Sequence, residues 1–160
     1  MPHRCGVWIL HKGYLLDTSV LSVLTPGREA FVPAHLPPWL QAQHDKLFIP
    51  CITIAELAQG IGKLRRAGGK ERADRLDSWL DGLLNAYSER ILPLDAQAAR
   101  VAGQISDAAM AKGRHPGFAD VAIAALAQSA QLLLLTSNIK HFKPLGVPCV
   151  DPLKKLPPEP

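Results

Sequence analysis

The sequence is poor in cysteine: Cys5, Cys51 and Cys149 are an odd three, with no C-x-x-C pair. That argues against a disulfide framework or a structural zinc site, and reduced thiols in a cytoplasm are the expectation. Long apolar runs are also missing. Residues 7–10 and 132–135 are apolar but far too short for a signal-peptide core or a membrane span. Aromatic residues make up only 6% of the chain and form no cluster suited to base stacking, so a sequence preference on nucleic acid is not legible. Net charge is a modest +4, which permits a polyanionic partner without demanding one. What is present suits one globular domain: 160 residues, 48% hydrophobic and 20% charged.

Short apolar runs alternate with amphipathic stretches. Tyr14-Leu15-Leu16 reads as a buried strand ending at Asp17, after which Thr18-Ser19 can cap a helix. A second, irregular helix is expected over 28–43, and a strand over 46–50. Thr53 with Glu56 three positions on has the spacing of a capping box for the next helix. Leu76, Trp79, Leu80, Leu83, Leu84 and Tyr87 mark the clearest amphipathic helix. A strand follows at 91–94, and Asp95 caps a helix that stops at Gly113. An alanine-rich helix covers 118–129, a strand 132–136 and an edge strand 149–150. This order predicts an α/β domain with a mainly parallel sheet of four to five short strands flanked by helices. The domain is expected over 14–152, after an extension at 1–13 and before a loose proline-rich tail at 153–160.

Three carboxylates fall in unusual places: Asp17 at a strand end, and Glu56 and Asp120 at helix starts. Each has an ordinary explanation: a helix cap, half of a capping box, a charge favoured by the helix dipole. Together they gather on one edge of a parallel sheet, where ligands collect. An ionised carboxylate beside so much apolar surface is costly unless paired, and a divalent cation is a strong partner. Carboxylate oxygens suit Mg²⁺ and Mn²⁺, and carboxylates without metal would repel a phosphodiester. Metal and nucleic-acid substrate therefore come as one hypothesis.

These same residues carry a resemblance. Leu15-Leu16-Asp17-Thr18-Ser19-Val20 resembles the first motif of PIN domains, and Ile52-Thr53-Ile54-Ala55-Glu56-Leu57 the second. Ala119-Asp120-Val121-Ala122-Ile123-Ala124 resembles the third, and Leu135-Thr136-Ser137-Asn138-Ile139-Lys140-His141-Phe142 the fourth. The similarity spans about Tyr14 to Pro152. It implies a Mg²⁺- or Mn²⁺-dependent endoribonuclease of the VapC toxin type, often dimeric, blocked by a small antitoxin. Asp17, Glu56 and Asp120 match the family's first three acids and are the implied metal ligands, with Asn138 as a further oxygen donor. Thr18 and Thr136 are expected to support them. His141 departs from the pattern, standing where an acid commonly precedes the phenylalanine.

For RNA contact, Lys63, Arg65 and Arg66 at the end of the Glu56 helix and Lys140 and Lys143 after Asn138 are candidates, a solvated helix face being the alternative. Val20, Leu21, Leu24, Phe31, Leu36, Trp39 and Leu40 exceed what one short helix needs, and serve the core or a partner helix. Two rivals stand beside the ribonuclease. A haloacid-dehalogenase-type phosphatase would need an Asp where Ser19 stands. A catalytically inactive PIN-like module binding RNA or protein is kept open by His141.

Overall fold

In the computed structural model of the chain, residues 11–159 are described. The sheet has five short strands, β1 (Tyr14–Leu16), β2 (Leu47–Pro50), β3 (Ile91–Leu92), β4 (Leu133–Leu135) and β5 (Cys149–Val150), in the order β3-β2-β1-β4-β5. Every pairing is parallel. Among the described residues seven helices surround it: α1 (Thr18–Val23), α2 (Leu36–Ala42), α3 (Cys51–Arg66), α4 (Lys70–Ala86), α5 (Ala96–Ala111), α6 (Phe118–Ala130) and α7 (Ile139–Phe142). The expected α/β domain with a parallel central sheet is therefore present.

Strand residues alternate between two cores, because successive side chains leave a strand on opposite faces. Leu15 and Leu134 join α5 and α6 on one side. Tyr14, Leu16, Leu47, Ile49, Leu133 and Leu135 join α1 to α4 on the other. Both faces are covered, which is why the strands read as unbroken apolar runs. Gly13 lets β1 pass close to its neighbour, since a Cβ there would lie 2.5 Å from the Lys46 carbonyl oxygen. The chain winds outward from β1 to β2 to β3 and then returns to place β4 on the other flank of β1. The crevice at the carboxyl ends of β1 and β4 is thus the topological switch point.

Several local expectations need correction. The helix expected over 28–43 is split into a 3-10 turn at Glu29–Phe31 and α2 at Leu36–Ala42, with Pro33 between them. Thr18 and Ser19 do not cap α1; they are its first two residues, and Asp17 is the N-cap. Thr53 does not start α3 either. That helix begins at Cys51 after Pro50, so Thr53 is its third residue and Glu56 lies in its second turn. Asp95 does cap α5, its Oδ1 accepting the Ala98 N–H at 2.8 Å.

The tail is not loose. Tyr14 Oη donates to the Pro158 carbonyl at 2.9 Å, Gln43 Nε2 lies 3.3 Å from the Glu159 carboxylate, and Leu153 and Leu156 pack on the core. Its leucines supply the apolar packing, and its prolines start with less chain entropy to lose. Of the expected extension at 1–13, only His11, Lys12 and Gly13 fall among the described residues. The Lys12 N–H donates to the Gln131 carbonyl at 2.8 Å, and the Gly13 carbonyl accepts from Leu133 at 3.0 Å. The apolar run 7–10 and Cys5 lie outside the described residues. Cys51 and Cys149 are free thiols. Among the described residues no helix is long and apolar enough to cross a membrane.

Candidate active site

Asp17 follows β1 directly, and its backbone N–H donates to the Leu135 carbonyl at 3.0 Å, tying it to the end of β4. Although Asp17 is the N-cap of α1, its side chain makes no capping bond. Its Oδ2 instead accepts from Thr136 Oγ1 at 2.7 Å and from Ser19 Oγ at 2.9 Å. Thr136 is fully buried and Asp17 only 4% exposed. The Thr136 hydroxyl also accepts the Asn138 N–H at 3.0 Å, so Asn138 enters the network through its backbone. Ser19 Oγ accepts the Ser137 N–H at 3.0 Å, fastening the loop after β4 to the start of α1.

Glu56 is reached from the same turn. Thr18 Oγ1 lies 2.7 Å from Glu56 Oε1 and 3.0 Å from the oxygen of the buried Thr53. A hydroxyl has one proton, and the shorter, charge-assisted hydrogen bond takes it. Asp120 sits in the first turn of α6, where the helix dipole favours its charge. Its Oδ2 lies 3.3 Å from His141 Nδ1, and the His141 N–H in turn donates to the Asn138 carbonyl at 2.9 Å. Asp17 and Asp120 are therefore linked by contacts running through Thr136, Asn138 and His141, while Glu56 is held by Thr18, the next residue in the chain after Asp17.

Two of the three ordinary explanations fail on this geometry. The Asp17 side chain makes no capping bond to α1, and Glu56 makes no capping box. Asp17 and Glu56 are each gripped by hydroxyls through one oxygen, while Asp17 Oδ1, Glu56 Oε2 and Asp120 Oδ1 have no hydrogen-bond partner among the described residues. None of those three oxygens is sealed from solvent. Among the described residues no Lys, Arg or His nitrogen lies within 4.0 Å of Asp17 or Glu56. A nearly buried carboxylate with no cationic partner is a place where a cation binds favourably. The donor set, all oxygen apart from His141, suits a hard divalent ion. As the side chains stand, no three His, Cys, Asp or Glu among the described residues form a ready-made metal cage. Mg²⁺ needs only one or two direct carboxylates and keeps several waters, so the residues present are compatible with it.

Of the expected RNA-contacting cations, Arg65 is already engaged: it pairs with Asp74, and its Nη2 lies 2.8 Å from Asp77 Oδ2, both on α4. Lys63 and Arg66 are exposed, but seven and ten residues along α3 from Glu56 put them about 10 and 15 Å down the helix. Lys140 and Lys143 are exposed on either side of His141. Sequence reasoning missed Ser19, whose hydroxyl grips Asp17. Its signal was the run of two hydroxyl residues directly after the strand-ending acid. Of the surplus apolar residues, Val20, Leu21, Leu36 and Trp39 are core, whereas Phe31 is 68% exposed.

The chain belongs to the PIN-domain family, whose model matches residues 14–145. It is 30% identical over 142 residues to VapC ribonuclease Y4jK of Sinorhizobium fredii, covering 86% of this chain and 96% of that protein. The fold is similar to a crystal structure of FitAcB from Neisseria gonorrhoeae, with TM-score 0.73 and 29% identity over 87% of this chain and 97% of the other. It is equally similar to DNA-bound VapBC from Salmonella typhimurium, with TM-score 0.73 and 26% identity at the same coverage.

Proposed function

We propose that this chain is a divalent-metal-dependent endoribonuclease acting in the cytoplasm as the toxin of a toxin–antitoxin pair. The observation that carries this reading is a pair of carboxylates beside the sheet's switch point, Asp17 and Glu56, each held by hydroxyls and without any cationic partner among the described residues. Asp17 and Asp120 would hold Mg²⁺ or Mn²⁺, directly or through its waters. A divalent ion there supplies a counter-charge for a phosphate oxygen and a water of lowered pKa. Glu56 helps hold the ion or orients the attacking water as a base, and Thr18 fixes its carboxylate for that task. Thr136 and Ser19 fix Asp17. Asn138 adds an oxygen at the rim, and Lys140 and Lys143 offer charge to the RNA backbone.

The names of relatives support the reading, VapC ribonuclease Y4jK for the activity and Toxin FitB for the toxin role, and a solved member of the VapBC family of toxin–antitoxin systems supports a small antitoxin as partner. A homodimer is part of the same proposal. Its support is Phe118, 71% exposed beside an apolar cleft lined by Leu94, Ala102 and Val121, a face that a second copy can cover. The inactive-module alternative rests on His141, whose nitrogen stands against Asp120 where an acid is usual.

The test is cleavage of a mixed RNA by the purified full chain with Mn²⁺ or Mg²⁺, against chelator. Wild-type protein should cut, and Asp17→Asn should lose cleavage while keeping its fold by circular dichroism. Full activity in Asp17→Asn would remove the central claim, and Mn²⁺ binding without cleavage would favour the inactive module.

A further inference from the structure

A cavity of about 210 Å³ opens between α1, α3 and α4 and reaches one of the three acids, since Glu56 and its partner Thr18 both line it. Its inner surface includes Leu57, Leu76 and Trp79, and Arg28 and Arg72 lie along it. A turn at Pro26-Gly27, with φ of +88° at Gly27, brings Arg28 there. The Arg28 guanidinium lies over the Phe31 ring at 5.4 Å from its centre, and that ring is 68% exposed. Among the described residues neither Arg28 nor Arg72 is salt-bridged to a carboxylate, in contrast to Arg65 and Lys70, which are held by α4 acids. The cavity thus has a carboxylate at one end, two uncommitted guanidiniums along it and a flat exposed stack outside.

We propose that this cavity is a subsite for the nucleotide next to the cleaved phosphate of a single-stranded RNA. Arg28 and Arg72 pair its phosphate oxygens, and Phe31 with the Arg28 plane takes its base. Guanidinium groups match phosphate geometry with two donors each, and an exposed aromatic ring offers a base-stacking face. The strand must be single, because bases inside an A-form duplex are not free to splay onto a ring. The exposure of Phe31 argues against a core role, and two unpaired cations beside a metal-seeking site favour an occupant that carries repeated negative charge. This deepens the ribonuclease reading and rests on it.

The test uses the full chain carrying Asp17→Asn, so that RNA survives, and measures fluorescence anisotropy of a labelled single-stranded RNA across a salt series. Adding Arg28→Gln and Arg72→Gln should weaken binding and flatten the slope of log affinity against log salt by about 0.7 for each phosphate no longer neutralised. Phe31→Ala should weaken single-stranded RNA binding by about five- to a hundredfold and leave the salt slope unchanged. Arg28→Lys should keep the slope and lose part of the affinity. The proposal is overturned if the parent chain does not bind, if the double arginine variant keeps its slope, or if Phe31→Ala weakens duplex RNA as much as single strands. It is equally overturned if these variants lose only the antitoxin and not RNA. Wild-type protein that binds as described but cuts nothing with Mn²⁺ would sink the ribonuclease reading and leave the binding subsite standing.

Discussion

Thr136→Val is the sharpest probe of the site, because valine keeps the shape of the buried side chain and deletes only its hydroxyl. That hydroxyl donates to Asp17 Oδ2 at 2.7 Å and accepts the Asn138 N–H at 3.0 Å. A hydrogen bond to a charged group is worth about 1.5–3 kcal/mol, and among the described residues Asp17 has only one other hydroxyl, that of Ser19, on the same oxygen. Asn138 is exposed, so water can satisfy its released N–H at little cost. At about 2–4 °C per kcal/mol for a domain of this size, the melting temperature in chelator should fall by roughly 3–12 °C. Asp17 would also lose part of its fixed orientation, which typically costs about 10- to 100-fold in metal affinity. Differential scanning fluorimetry reads the first quantity and calorimetric Mn²⁺ titration the second. Thr136→Ser should recover both. Unchanged stability and Mn²⁺ affinity in Thr136→Val would refute the reasoning. A lower melting point with unchanged Mn²⁺ affinity would make Thr136 a purely structural residue.

Three further outcomes follow from the same geometry. His141→Asp places a second carboxylate beside Asp120, now 3.3 Å from the imidazole; it should lower the melting point in chelator and raise Mg²⁺ affinity, read by the same two assays. Burial, and then the charge of Glu159, push the Tyr14 phenol up to about 12 from 10.0, so the fold favours its neutral form. That contribution is whole below pH 10 and lost as pH rises towards 12; Tyr14→Phe should cost about 0.5–1.5 kcal/mol at neutral pH and flatten the alkaline limb of urea-unfolding curves. Arg65→Gln should leave RNA affinity and its salt slope unchanged. Hydrogen bonds from Lys70 and Arg65 hold the Asp74 carboxyl below its usual 3.8, so this variant should shrink the stability lost as pH falls through that range.

What was legible in the sequence is what local physics fixes. Tyr14-Leu15-Leu16 and Leu133-Leu134-Leu135 are apolar without a break because both sheet faces are covered, and that alone implies a parallel sheet with ligands at its carboxyl edge. Asp17, Asp120 and the Asp95 cap were readable because each sits where an element changes. Glu56 was placed on the correct helix for the wrong local reason. The Thr-x-x-Glu spacing looks like a capping box, but the helix starts three residues earlier, after Pro50, and the bond of Glu56 goes to Thr18, 38 positions away. No window of sequence contains that pairing. The tail was misread on composition: its prolines suggested looseness, while Leu153 and Leu156 supply the apolar surface that docks it. The pairing of Arg65 was not legible because its partners, Asp74 and Asp77, belong to the next helix.

The choice of partners for the acids is itself informative. The chain has 18 Lys and Arg residues against 14 Asp and Glu. Cations were available to neutralise Asp17 and Glu56, yet among the described residues hydroxyls hold both. The two solutions differ physically. A guanidinium or ammonium partner would fix the carboxylate and cancel its charge, lowering what an incoming cation could gain. A hydroxyl fixes one oxygen, leaves the charge in place and leaves the other oxygen open. Asp17 at 4% exposure with its charge uncancelled is an expensive arrangement for stability alone. Its cost is offset when a divalent ion arrives, since an ion that binds only the folded state stabilises it by about 2.7 kcal/mol at a hundredfold excess over Kd. Wild-type protein should therefore gain melting temperature on Mn²⁺ addition, and Asp17→Asn should not. A rise of equal size in both proteins would mean the ion binds elsewhere and that the hydroxyl grip on Asp17 serves the fold alone.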